Sequence, residues 1–93
     1  MRHAARTDAN HAAISDALRS IGARVYYVKW PCDVFVAYRG KWIAIEFKSL
    51  GGRLTLDQTK LIAETDAPVH VVETVEQAIA VVVAEGAVRG TPT

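Results

Sequence analysis

Two runs of strand-forming residues, CDVFVAY at 32–38 and WIAIEFK at 42–48, are separated only by Arg39, Gly40 and Lys41. A connection that short, with glycine in it, joins antiparallel strands as a hairpin. The neighbouring segments supply what surrounds it. RVYYVKW at 24–30 is dense in β-branched and aromatic residues and ends at Pro31, which suits a first strand. Ahead of it, TDANHAAISDALRSIG sets Ala13, Ile14, Ala17, Leu18 and Ile21 at helical spacing, with Thr7, Asp8 or Asn10 available as N-cap and Gly22 as the stop.

Downstream, SLGGR reads as a glycine-rich loop, and TLDQ at 55–58 has the hydroxyl and glutamine of a capping box ahead of Leu61, Ile62 and Thr65. VHVVE at 69–73 follows Pro68 as a fourth strand. Thr74 and Gln77 then repeat the capping box before Val75, Ala78, Ile79, Val82 and Val83, which form a third helix. The order is helix, three strands, helix, strand, helix. Meander connections make the first three strands antiparallel, and a helical crossover makes the fourth parallel to the third, with right-handed chirality. The expected fold is α/β, a small mixed four-stranded sheet flanked by helices, with its core at 8–84 and EGAVRGTPT at 85–93 as a frayed polar tail.

Ninety-three residues, 51% of them hydrophobic, hold one domain and exclude a large multi-step enzyme. A chain of this size buries only roughly 60–65% of its unfolded surface, so self-association would extend a thin core. The longest apolar run, AIAVVVA at 78–84, is far short of the ~20 residues of a bilayer span, and MRHAAR is not followed by an apolar signal core. An intracellular, non-membrane protein is expected. Cys32 is the one cysteine, which excludes an internal disulfide and a multi-cysteine zinc site and fits a reducing compartment. The net charge of +1 hides an asymmetry: residues 1–60 carry ten Lys or Arg against five acids, while residues 61–93 carry Arg89 against five acids. One face meeting a polyanion is compatible with that split, as is an ordinary solvated surface.

Along WIAIEFK, Trp42, Ala44, Glu46 and Lys48 share one face, and Ile43, Ile45 and Phe47 the other. A hairpin loop of two or four residues sets Asp33 opposite Glu46 or Lys48 on that face, whereas a loop of three sets it opposite Phe47 and breaks the cluster. Two carboxylates and a backbone carbonyl supply hard oxygen ligands for Mg²⁺, and a neighbouring lysine can orient a nucleophile or stabilise a phosphorane. Glu46 also sits in an otherwise buried run, and a buried acid requires a partner or a metal.

Asp33 followed by Glu46-Phe47-Lys48 after a short hairpin, in this element order, resembles the PD-(D/E)xK nuclease superfamily. The compactness, GGRLTLDQ and VHVVETVEQAI look most like its virus-type replication-repair (VRR-NUC) branch, over roughly residues 8–83. The resemblance implies a restriction-endonuclease-like core and a DNA endonuclease using Mg²⁺ or Mn²⁺, homodimeric as small stand-alone members are, some of which act on branched DNA. It implies Asp33, Glu46 and the Phe47 carbonyl as metal ligands and Lys48 as the catalytic lysine. The chain departs from the family in two places. Cys32, not proline, precedes Asp33, and the first helix lacks the family's glutamate, for which Asn10, Asp8 or Asp16 could stand in.

Gln58 either only completes the capping box with Thr55 or points to the site from its helix, where the family often has a glutamine. Lys29, Arg53 and Lys60 are candidate phosphate contacts. Trp30 and Trp42 could stack on bases, but packing on the sheet is the expected role. His3, His11 and His70 have no metal-ligand spacing, and Cys32 reads as a small core residue. The function expected is metal-dependent hydrolysis of DNA phosphodiesters. The alternatives are a catalytically silent nucleic-acid- or partner-binding module on the same fold, and a prophage-type accessory protein with no nucleic-acid role.

Overall fold

The computed structural model describes residues 2–49 and 51–87, with side chains from Asn10 onward. Seven elements follow in the order α1 (Arg2–Ser20), β1 (Arg24–Tyr27), β2 (Val34–Tyr38), β3 (Lys41–Phe47), α2 (Leu56–Thr65), β4 (His70–Val72) and α3 (Val75–Ala87). The strands form one sheet in the order β1-β2-β3-β4, antiparallel at the first two pairings and parallel at the third. The protein is therefore mixed α/β, with a four-stranded mixed sheet and three helices, as the sequence pattern predicts. Among the described residues no helix is long and apolar enough to cross a membrane.

Alternation along the strands sends Val25, Val34, Val36, Ile43, Ile45, Phe47 and Val72 to one face, where Ile14 and Leu18 of α1 and Ala78 and Val82 of α3 complete the core. Ser15, also buried on α1, is satisfied by the Tyr27 hydroxyl at 2.7 Å. At Gly86 of α3 a side chain would meet the Tyr38 ring at 2.5 Å, so the helix seats against β2 only because glycine stands there. The opposite, outer face has α2 over one end only. Its Gln58 bonds to Glu46, and its Leu61 lines a hollow with Phe35, Trp42 and Ala44.

Several boundaries differ from the sequence expectation. The first helix begins at Arg2, ahead of Thr7, Asp8 and Asn10, because no breaker interrupts residues 2–10. β1 ends at Tyr27 rather than residue 30. Val28 still donates to the Asp33 carbonyl at 2.9 Å, but Pro31 lacks a donor and the chain bends through 29–33. Helix α3 runs to Ala87, three residues into the expected tail, and the rest of that tail lies outside the described residues. Thr55 and Gln58 form the full capping box, whereas at α3 only half of it forms. Thr74 accepts from the Gln77 amide at 3.1 Å, but the Gln77 side chain reaches back to the Glu73 amide instead.

Candidate active site

The hairpin between β2 and β3 turns on two residues, Arg39 and Gly40, with φ of 51° and 83°. Positive φ at both central positions is the turn whose twist suits a two-residue hairpin, and glycine tolerates the second at no steric cost. This turn pairs Val34 with Ile45, the last pair of the ladder, and Asp33 stands just outside it where the chain leaves the bend at 29–33. The outer-face rows of the sheet run Arg24, Ala37, Trp42, then Tyr26, Phe35, Ala44, and Glu46 is the next outer-face position along β3.

Asp33 is locked to β3. Its amide donates to the Ile45 carbonyl at 3.2 Å, and its Oδ2 accepts the Phe47 amide at 2.7 Å. The carboxylate thus takes the place of a ladder partner just where β2 gives way to loop. That bond ties Asp33 to the stretch of β3 that carries Glu46, Phe47 and Lys48.

Glu46 is only 8% exposed. Its burial is tolerable because both oxygens are met: Oε1 accepts from Gln58 Nε2 at 3.0 Å, and Oε2 lies 3.3 Å from Lys48 Nζ. Lys48 follows β3 in extended conformation, its amide donating to the Val72 carbonyl at 3.0 Å, so positions 46 and 48 face the same way. Its stem lies against Gly52, where a Cβ would come within 2.8 Å of the Lys48 Cβ. The SLGGR loop therefore holds the lysine in place through a glycine that leaves it room.

Gln58 performs both roles weighed for it. Its Oε1 accepts from the Thr55 amide at 2.8 Å, while Nε2 donates to Glu46 and to the Pro31 carbonyl at 2.8 Å. Position N3 of α2 points the amide at the helix start and at the sheet together, so one buried side chain joins α2, the 29–33 bend and Glu46.

Cys32 is buried next to this cluster, with Sγ donating to the Val34 carbonyl at 3.2 Å. Burial pushes its thiol pKa up, and the charges of Glu46 and Asp33 add to the rise. On the other side, Asn10, His11, Phe47, Lys48 and Ser49 line a hollow of about 270 Å³, with the His11 ring 4.4 Å from that of Phe47. Of the three stand-ins for a first-helix acid, Asn10 is thus beside Lys48. Asp16 is exposed and 3.5 Å from Arg19, and the Asp8 side chain lies outside the described residues.

Lys29, Arg53 and Lys60 are exposed and form no ion pair among the described residues, which leaves them open to solvent. The expectation that Trp30 and Trp42 pack into the sheet is corrected: both are exposed, because Trp30 sits in the bend and Trp42 stands on the outer face with only a hollow between it and Leu61 of α2. Cys32 is the small core residue that the sequence indicates, whereas sequence reasoning assigned His11 no place at the site. A signal existed for His11, which precedes Ile14 by three positions and so shares its helix stripe.

Among the described residues no three His, Cys, Asp or Glu side chains converge as a metal-binding group. Two carboxylates and backbone oxygen are the donor set at hand. No family model, curated protein or solved structure matches the chain.

Proposed function

We propose that the protein is a divalent-metal-dependent endonuclease that hydrolyses DNA phosphodiester bonds, with Asp33, Glu46 and Lys48 as its reactive groups and a restriction-endonuclease-like core. The observation that carries this reading is the register of the β2–β3 hairpin. It leaves the Asp33 carboxylate on the Phe47 amide, one residue from Glu46, and Glu46 is gripped on one side by Lys48 and on the other by Gln58. A buried acid, an adjacent lysine and a second acid held at the neighbouring residue are more than a structural strand pair requires. The α1-β1-β2-β3-α2-β4 order, with its parallel last pairing, is in keeping with the PD-(D/E)xK resemblance.

The donor set suits Mg²⁺ or Mn²⁺, since carboxylate and carbonyl oxygens are hard ligands and a small number of protein ligands suits an ion that keeps several waters. Asp33 Oδ1 carries no hydrogen bond among the described residues, and each Glu46 oxygen has a lone pair beyond its present partner. Asp33, Glu46 and the Phe47 carbonyl are the groups that would hold the ion, which would supply a water of lowered pKa and offset charge on the phosphate. Lys48 presents an ammonium to the scissile phosphate and stabilises the negative charge that grows on its oxygens. Gln58 fixes the rotamer of Glu46 by holding Oε1, and the Phe47 amide does the same for Asp33.

The test is nicking of supercoiled plasmid and cleavage of flap and four-way-junction DNA, with and without Mg²⁺ or Mn²⁺. Metal-dependent cleavage that Glu46→Gln and Lys48→Ala abolish is the expected result, alongside a metal-dependent rise in melting temperature that Asp33→Asn removes. Cleavage unchanged in Glu46→Gln refutes the mechanism. Binding without cleavage by the wild type refutes the enzyme and leaves a silent binding module.

A further inference from the structure

The outer face of the sheet continues past Glu46 into a surface of aromatic rings that the proposed chemistry does not use. Two rows further along, Trp42 is 68% exposed, and Tyr26 is 48% exposed. Their ring centroids are 5.9 Å apart at 54°, and Phe35 meets Trp42 edge-on at 6.5 Å. With Val28 these three residues line an open hollow of about 420 Å³. Large rings left in water this way lose the burial that ordinarily places them in a sheet, so packing does not account for them.

We infer that this surface is a stacking platform for unpaired nucleobases, which leads a single-stranded stretch of nucleic acid to Asp33 and Glu46. The inference rests on the reading of the chain as a nucleic-acid protein and adds the structural class of its substrate. Three observations select this occupant. The cations at the margin fit a polyanion. Arg24 shares the Trp42 row and Arg39 stands at the adjoining turn, both exposed, while Glu46 is at the far end of β3 and Glu85, beside Trp42, is paired with Lys41. The rings also present faces and edges of differing tilt, the geometry that accepts a flat base of any sequence.

Continuity supplies the third observation. The Trp42 and Glu46 rows are four residues apart on β3, about 13–14 Å at the rise of an antiparallel strand, with Phe35, Ala44 and Tyr26 in the row between and Leu61 of α2 bordering it on one side. A strand whose phosphate reaches Glu46 therefore lays its next few nucleotides across the rings. In a duplex the base faces are already stacked on each other, so only unpaired nucleotides can use the platform.

Binding is measured by fluorescence anisotropy in EDTA, where cleavage is absent, with labelled single-stranded DNA, the same sequence as RNA, and the matching duplex. Wild type should bind the single strands more tightly than the duplex and show quenching of tryptophan emission. Trp42→Ala should weaken single-strand binding about tenfold, within the range found for removing one stacked aromatic, and leave duplex binding unchanged. Trp42→Phe should keep most of the affinity and lose most of the quenching. Equal affinity for DNA and RNA places recognition in the bases, whereas a preference for one adds contact with the sugar; either result is consistent with stacking. Circular dichroism of each variant checks the fold.

Tighter binding of duplex than single strand by the wild type, or unchanged single-strand binding by Trp42→Ala, overturns the platform. So does a dimer in sedimentation that Trp42→Ala dissociates, since the face is then an interface between copies. These failures are separable from failure of the nuclease reading, which is decided by metal-dependent cleavage and its loss in Glu46→Gln.

Discussion

Replacing Gln58 by alanine removes three hydrogen bonds at once, and nearly all of the cost falls inside the protein because Gln58 is only 4% exposed. The bond to the ionised Glu46 contributes about 1.5–3 kcal/mol, and those to the Thr55 amide and Pro31 carbonyl about 0.5–1.5 kcal/mol each. These groups share one side chain, so the losses overlap, and the expected total is about 2–4 kcal/mol. In a domain of 93 residues that lowers the melting temperature by roughly 10–30 °C. Gln58→Glu is the sharper probe, because it keeps the volume and the acceptor for Thr55 yet brings a second carboxylate to the side of Glu46. Like charges raise the folded-state pKa of the pair above the unfolded value, so the folded protein binds the extra proton. Its destabilisation should therefore be largest at neutral pH and shrink as pH falls toward ~4.3, the ordinary glutamate value. Urea unfolding followed by circular dichroism at pH 4.5 and pH 7.5 measures both effects. A Gln58→Ala midpoint equivalent to less than ~0.5 kcal/mol of loss, or a Gln58→Glu deficit independent of pH, would refute the reasoning.

At Gly52, alanine would press a methyl group on the Lys48 stem, at 2.8 Å from its Cβ, and on the Ser49 carbonyl at 3.0 Å. We expect Gly52→Ala to reduce cleavage at least tenfold by displacing the ammonium while circular dichroism stays native, with unaltered cleavage as the contrary result. Because burial raises the Cys32 pKa, its thiol should react with iodoacetamide far more slowly at pH 8 than in the urea-unfolded chain. The folded thiol holds its proton above the unfolded pKa of ~8.5, so stability should fall as pH rises past that value, and Cys32→Ala should remove this part of the dependence in alkaline unfolding curves.

The elements themselves were legible because their signals act over a few residues. Thr55 and Gln58 are three positions apart and close their capping box locally, and the strand runs at 32–38 and 42–48 alternate whatever packs on them. The hairpin register was narrowed to two useful choices, and the left-handed backbone at Arg39 and Gly40 selected the two-residue turn. Boundaries were less legible where no breaker marks them, as at the start of α1 and the end of α3.

The amino-acid order alone thus determined the helices, the strands and the shared face of Glu46 and Lys48, all of which follow from short-range periodicity. Tertiary structure decided which of those side chains meet and which stay in water. Gln58 reaches Pro31 across 27 positions only because α2 lies over that end of the sheet. Between that same α2 and Trp42 lies an open hollow, and so a ring that local pattern assigns to packing stands exposed. Burial is a property of what covers a residue, and the covering segment is set by packing between elements distant in the chain, which no local window contains.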